Sequence, residues 1–298
     1  GQLGLERTPE AYVAAMVGVF QEVRRVLADD GTVWLNLGDS YAGSGKGGNP
    51  EAGKQATNRG SQSVGVLYET GRTAQEAAVT NVTRRTFPEQ GIKQKDLVGI
   101  PWMVAFALRA AGWYLRSDII WSKPNPMPES VTDRPTKAHE YIFLLSKSRS
   151  YYYDAEAIAE DLQASSIARV AYGWNTNKMN VSGSLAKGAP VETRMDKMGS
   201  RLAPDGGRNK RSVWTVTTQP YPEAHFATFP EDLIEPCILA GSAIGDTVLD
   251  PFTGSGTTGA VAIRHQRNFI GCELNPAYVE LSRKRIGNVA PMFAQEVA

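Results

Sequence analysis

The chain has 298 residues, of which 42% are hydrophobic and 21% charged, with a formal net charge of +1. That is apolar material for one large core, or one core with a smaller appended module, and it excludes disorder as the dominant state. No apolar run reaches the roughly 18 residues of a membrane span and the N-terminus has no basic-then-apolar signal pattern, so a soluble, cytoplasmic chain is expected, while the balanced net charge is silent about nucleic acid.

The first expected element is a helix, with Thr8 as N-cap, Pro9 at the first helical position and apolar residues at Tyr12, Met16, Val19, Phe20, Val23, Val26 and Leu27. Asp29, Asp30 and Gly31 turn the chain, and TVWLNL, Thr32 to Leu37, is rich in β-formers and predicts a strand. The polar, glycine-rich run that follows, about 42–94, predicts a mobile loop. Its GSGKGG segment is not a phosphate loop, because Lys46 is followed by glycine and the G-x-x-x-x-G-K spacing is absent.

Pro101 opens a second helix, with Trp102, Met103, Phe106, Ala107 and Ala110 on one side and Gly112 as the stop. WYLRSDIIW and EYIFLLS predict two strands, and the four prolines of the linker between them rule out regular structure there. From about Asp154 to Ser212 apolar periodicity lapses, which marks an inserted module; Arg194, Lys197, Arg201, Arg208, Lys210 and Arg211 cluster in it. Order returns with a helix from Pro230 to Gly241, expected to bend at Pro236. A strand TVLDPF, a helix from Thr257 to about His265, a strand NFIGCEL and a helix from Pro276 to Ile286 complete the chain. Alternating strands and helices predict the α/β class, a doubly wound, mostly parallel sheet with helices on both faces. Cys237 and Cys272 belong to no CxxC, so neither a disulfide framework nor a metal site is expected, and both are read as buried thiols.

Gly254 to Gly259, GSGTTG, fits G-x-G-x-x-G with a strand before it and a helix after it. Glycines there let a ligand approach backbone at the positive end of a helix, and Glu273, about twenty residues on, is placed to accept hydrogen bonds from ribose hydroxyls. The pair implies a nucleoside-containing cofactor. Dinucleotide domains carry this fingerprint early, because several strands must follow it; here it comes late, so the remaining strands come from upstream and the order is permuted. Asp250, directly before the loop, is badly placed beside a pyrophosphate and suits a cofactor bearing a cationic sulfonium and an ammonium. An NAD-dependent oxidoreductase is the alternative reading of the same loop.

VLDPFTGSGTT, FIGCELNPAYVELSRKRI, HFATFPEDLIEPCILAGS, IIWSKPNPMPES and HEYIFLLSKS together resemble the amino-methylating DNA methyltransferases that modify N4 of cytosine or N6 of adenine, with the catalytic part before the cofactor part. The resemblance covers nearly the whole chain, apart from the loop after Tyr41 and the region 154–212. It implies the S-adenosylmethionine-dependent methyltransferase fold, circularly permuted, with residues 1–153 and 213–298 as its two halves and 154–212 as a target-recognition region. It implies S-adenosylmethionine as cofactor, held by Asp250, Phe252, Gly254, Gly256, Thr257 and Thr258, with Glu273 on the ribose and the segment around His225 and Ala227 closing over the methionine end. The implied partner is double-stranded DNA, without membrane or metal. Lys123, Asn125 and Arg134 on the proline-rich linker, and Arg194, Arg201, Arg208, Lys210 and Arg211, are candidates for phosphate and base contacts. His139 is read as structural and His265 as exposed.

The family's reactive Asp/Asn/Ser-Pro-Pro-Tyr tetrapeptide is not in this sequence. QPY, Gln219 to Tyr221, lacks a proline and NPMP, Asn125 to Pro128, lacks an aromatic. In the permuted order the motif ends the strand just before the helix at Pro9, so it is expected upstream of Gly1, and a chain starting at Gly1 is expected not to transfer methyl groups. A non-catalytic DNA-binding relative fits the same observation. Cytosine N4 and adenine N6 are not distinguished.

Overall fold

The computed structural model describes residues 3–43, 88–161, 207–219 and 228–289. Helix α1 spans Pro9–Val26. Thr8 closes its N-terminus as the sequence predicts, its hydroxyl oxygen accepting the Ala11 N–H at 3.2 Å. The buried stripe runs through Val13, Met16, Phe20 and Val23, while Val26 is left exposed. Strand β1 is Thr32–Leu37, helix α2 Ile100–Ala110, strand β2 Tyr114–Ser122 and strand β3 His139–Ser146. A short strand β4, Val213–Thr215, follows, then helix α3, Glu231–Gly241, which continues through Pro236. Strand β5 (Thr247–Asp250), helix α4 (Thr257–Arg264), strand β6 (Asn268–Gly271) and helix α5 (Pro276–Val289) end the described chain.

The expected mostly parallel sheet is corrected to a mixed one. Four strands pair in the order β1-β3-β2-β4, and β5 and β6 form a separate pair. β3 is antiparallel to both β1 and β2, whereas β2–β4 and β5–β6 are parallel. The reason lies in the connections. A parallel neighbour needs a helical crossover, which α2 supplies between β1 and β2; the linker after Ser122 forms no helix and returns the chain antiparallel, so β3 inserts between them.

The four-stranded sheet is covered on both faces. Phe143 and Leu145 point toward α1 and α2, into a cluster with Phe20, Val104 and Leu108; Ile142 points the other way, into a cluster with Ile119, Trp121, Trp214 and Leu233 of α3. β3 is therefore buried on alternate sides along its length. The β5–β6 pair keeps the same two directions: Leu249 packs against the α1 cluster, while Val248 and Phe269 pack against Ile238 of α3 and Val261 of α4.

Further expectations need adjustment. Within the stretch expected to be a mobile loop, Pro88–Gln90 form a 3-10 turn, and backbone bonds tie Ala42 to Lys95 and Asp96; residues 44–87, GSGKGG among them, lie outside the described residues. Cys237 is buried, and burial pushes its thiol well above the ordinary range, but Cys272 is exposed. His265 is not free on the surface: its ring nitrogen lies 2.6 Å from Glu235. No described helix is long and apolar enough to cross a membrane.

Phe143 is fully buried and meets Trp102 edge-on at 5.1 Å between centroids. Phe143→Ala should cost about 3–5 kcal/mol of stability, measured as a lower denaturant midpoint, with the slope of the unfolding transition unchanged.

Candidate cofactor site

The site is assembled where β5 ends. Asp250 is its last residue, and its carboxylate is fixed by two local donors: the Phe252 N–H at 2.9 Å and the Thr258 hydroxyl at 2.5 Å. The loop is tied to the neighbouring strand end by backbone bonds, Cys272 N–H to Asp250 C=O at 2.9 Å and Thr253 N–H to Cys272 C=O at 3.0 Å. Glu273 enters from that side, one oxygen accepting the Gly254 N–H at 2.9 Å and the other the Asn275 N–H at 2.8 Å.

Two carboxylates therefore flank one glycine loop, and no basic side chain pairs with Asp250 among the described residues. Burial raises the Asp250 carboxyl above the ordinary carboxylate range and the charge on Glu273 pushes the same way, against the hydrogen bonds from Thr258 and Phe252. Such a place favours a cation. Beside it, α4 begins at Thr257 with no side-chain cap, so the N–H groups of its first turn are open to an acceptor. Phe252 is half exposed and Leu274 almost fully exposed, which gives the rim an apolar character.

Gly256, the N-cap of α4, sits at φ +80°, in the left-handed region, and a Cβ there would lie 2.8 Å from Ser282 Cβ and 2.9 Å from its Cα. Helix α5 is therefore packed directly against the underside of the loop. Ser255 and Thr257 are 4% and 3% exposed, and their hydroxyls face this underside, where Arg285 donates to Thr257 Oγ1 at 2.8 Å and Ser255 Oγ at 3.3 Å. Thr257 is thus a loop residue whose side chain turns inward; only its backbone can face a ligand. His225 and Ala227 lie outside the described residues.

The residues expected to meet nucleic acid are spread and mostly engaged. Lys123 pairs with Glu140 and stands 4.1 Å over the Trp121 ring. Asn125 brackets the Thr218 backbone, accepting its N–H at 3.0 Å and donating to its carbonyl at 3.2 Å. Arg134 pairs with Glu129 at 2.6 Å and stacks 3.8 Å above Tyr41. Arg208 and Arg211 converge on Glu160 at 3.1 and 3.0 Å, and Lys210 stands 5.2 Å from the Trp214 ring. Residues 160 and 208 also exchange both backbone hydrogen bonds at 2.8 Å, so the two ends of the intervening segment are stapled together. Arg194 and Arg201 lie outside the described residues.

Sequence reasoning missed three contributors. Asp39 accepts the Gly99 and Ile100 N–H groups at 3.0 and 3.2 Å and so closes the N-terminus of α2 from another segment. Lys137 Nζ is buried without a hydrogen-bond partner, and burial lowers its pKa against the nearby Asp39, Glu140 and Glu129. Arg285 is the third. No spacing rule distinguishes these from surface charges; each is defined by contacts with residues distant in sequence.

Comparison with known proteins adds to this geometry. Residues 1–284 match a family model described as DNA methylase of the N6_N4_Mtase type. The type II methyltransferase M.Cfr9I of Citrobacter freundii is 42% identical over 285 residues, spanning 96% of this chain and 74% of that protein. M.SmaI of Serratia marcescens is likewise 42% identical, over 286 residues, 96% of this chain and 77% of that one. Among solved structures, the PvuII DNA methyltransferase, described as cytosine-N4-specific, superposes with a TM-score of 0.57 at 17% identity over 96% of this chain and 76% of that one. A Thermus thermophilus protein described as a DNA modification methylase, solved with S-adenosyl-L-methionine, gives a TM-score of 0.52 at 21% identity over 95% and 80%. At these identities the structural likeness shows the α/β fold with a mixed sheet and no more.

Two glycines separate backbone strain from contact. Gly245 (φ +87°) has nothing within 4 Å of the position a Cβ would take, unlike Gly256. Gly245→Ala should cost about 1 kcal/mol from the left-handed backbone alone, and Gly256→Ala about 2–4 kcal/mol through added overlap with α5, compared by thermal denaturation of the two variants.

Proposed function

The chain belongs to the N6_N4_Mtase family of DNA methylases and is an S-adenosylmethionine-dependent DNA methyltransferase, and from that premise we propose that its methyl acceptor is an exocyclic amine, N4 of cytosine or N6 of adenine, on a base extruded from double-stranded DNA. The observation that carries the site assignment is the carboxylate pair, Asp250 and Glu273, on either side of the glycine loop. Glu273 would serve the ribose of either kind of cofactor, and Asp250 makes the difference: a dinucleotide would set its pyrophosphate beside that carboxylate, whereas a ligand with an ammonium and a sulfonium meets it with opposite charge. The residues present therefore fit S-adenosylmethionine and argue against NAD.

When bound, S-adenosylmethionine supplies an electrophilic methyl group. The protein's part is positioning and charge. Asp250 holds the ammonium of the amino-acid end, the open N–H groups of α4 receive its carboxylate, and Glu273, already fixed by the Gly254 and Asn275 N–H groups, uses its remaining lone pairs on the ribose hydroxyls. Phe252 and Leu274 offer apolar surface to the adenine. His225 and Ala227 complete the methionine end in this reading. Holding acceptor and donor together at the strand ends would make the encounter unimolecular; the side chains that engage the acceptor amine belong, in this reading, to the reactive tetrapeptide that this sequence does not contain.

A base must leave the duplex to reach such a site, at the cost of unstacking, so the protein needs a cleft that grips the flanking backbone. The C-terminal ends of β1 and β2, carrying Asp39, Lys123 and Asn125, face that task, and the region 154–212 serves as the recognition module, its neck closed by Glu160 with Arg208 and Arg211. Arg211 is the more solvent-accessible of the two arginines, with 66% of its side chain exposed against 28% for Arg208, and is the better phosphate contact. Arg194 and Arg201 belong to the same module in this reading.

Calorimetric titration with S-adenosylhomocysteine and, separately, NAD tests the assignment: binding of the former alone is expected, and binding of NAD alone would overturn it. The raised Asp250 pKa sets a further expectation. An ionised Asp250 is disfavoured in the folded, ligand-free protein, so stability is full at low pH and falls as pH rises from the ordinary carboxylate range to the raised value. Ligand affinity runs the opposite way, since the ammonium binds the ionised form and affinity falls as pH drops through that raised value. Asp250→Asn should therefore leave the free protein at least as stable at pH 7, lose most affinity for S-adenosylhomocysteine, and flatten the pH dependence of what remains. Replacing Lys210 and Arg211 together by alanine should weaken binding to duplex DNA and reduce the slope of log K against log salt by about 1–2; an unchanged slope would remove these residues from the interface.

A further inference from the structure

The cofactor loop is held from below by a helix that its glycine fingerprint does not include. Arg285 of α5 has only 15% of its side chain exposed. One of its terminal nitrogens donates to the hydroxyls of Thr257 and Ser255, at 2.8 and 3.3 Å, and the other to Glu231 at 2.8 Å. Glu231 is the first residue of α3, and its second oxygen accepts from Arg264 of α4 at 2.6 Å. A single planar guanidinium thus joins the loop, α5 and the start of α3.

The chemistry at this junction is demanding. The Ser255 and Thr257 hydroxyl oxygens are buried 3.4 Å apart, and a donor entering from outside the loop keeps both satisfied. The guanidinium does this with a rigid fork whose orientation is fixed by the Glu231 ion pair. Thr257 opens α4, so holding its side chain also holds the direction in which the first N–H groups of that helix point. Asp250 is bonded to Thr258 on the same turn.

Resting on the reading of this loop as the S-adenosylmethionine site, we infer that Arg285 is its positioning residue: it sets the loop in its binding geometry before the cofactor arrives, and through Glu231 it ties the loop to the start of α3. Arg285 touches no ligand itself and acts through Thr257, Ser255 and Glu231. Arg264 supplies an internal control, because it pairs with the same carboxylate and makes no described hydrogen bond to the loop.

The test compares Arg285→Met, Arg285→Lys and Arg264→Met, each confirmed folded by circular dichroism, in calorimetric titration with S-adenosylhomocysteine and in amide hydrogen exchange of the ligand-free protein. Arg285→Met should raise Kd at least about tenfold, in keeping with loss of charge-assisted hydrogen bonds, and speed exchange in the peptides covering 254–258. Arg285→Lys, which restores the Glu231 pair but not the fork, should fall between Arg285→Met and the wild type. Arg264→Met should leave Kd within about twofold and those peptides unchanged, even where its denaturation midpoint falls as much. Equal effects of the two methionine substitutions on Kd, or an unaltered Kd and unaltered exchange in Arg285→Met, would overturn the inference. A wild-type chain that does not bind S-adenosylhomocysteine would instead overturn the site assignment, and the positioning role with it.

Discussion

A carboxylate buried at the end of a strand, beside a second carboxylate, must either hold its proton or meet a cation. Asp250 is in that position, and the site around it follows from the requirement. Its two fixed donors, the Phe252 N–H and the Thr258 hydroxyl, shape the turn on both sides of the loop, and the Cys272 N–H takes its backbone carbonyl. The negative charge is therefore delivered to a place defined to within a hydrogen bond. Among the described residues no basic side chain answers that charge, which is the ground of the proposal that a cationic ligand does.

Holding that turn in place is the work of the layers behind it. Leu249 and Val248, adjacent on β5, face opposite clusters, so the strand is gripped from the α1 side and from the α3–α4 side at once. Helix α5 closes the underside: Ser282 leaves no room for a methyl at Gly256, and Arg285 reaches the buried hydroxyls of the loop. Phe252 and Leu274 are exposed at the loop's rim, whereas Ser255 and Thr257 are buried with their hydroxyls turned to Arg285. A loop built this way arrives ordered, which spares binding the entropy of arranging it.

The parts of the fold that were legible in the sequence are those governed by neighbours along the chain. Thr8 and Pro9 placed the start of α1, TVWLNL placed β1, and a strand, a glycine loop and a helix in succession placed the cofactor turn. One expectation failed and one strand was not anticipated. The unbroken apolar run of EYIFLLS reads the same whichever way the strand runs, so the antiparallel insertion of β3 between β1 and β2 left no trace in it. Three residues, Val213 to Thr215, carry too little pattern to announce β4, which exists because β2 offers it an edge. Lys123, Arg134 and Arg208 look like free charges in the sequence; their partners, Glu140, Glu129 and Glu160, are 5 to 48 positions away and meet them only in the folded chain.

By itself, then, the sequence determined the class of the fold, the place of the glycine loop proposed to hold the cofactor and the pair of acids flanking it, because glycine spacing, a strand before and a helix after are local properties of the backbone. It also determined the family resemblance, which the match over residues 1–284 sustains. Only the tertiary structure decided strand direction and order, which of the many basic residues are spent on internal ion pairs, and that Arg285, in the run Arg283-Lys284-Arg285, lies against Thr257 while Arg283 pairs with Glu280 on its own helix. Those outcomes depend on long-range packing: a side chain's partner is set by which helix face is turned inward, and that direction is chosen by the whole core and not by the residues beside it.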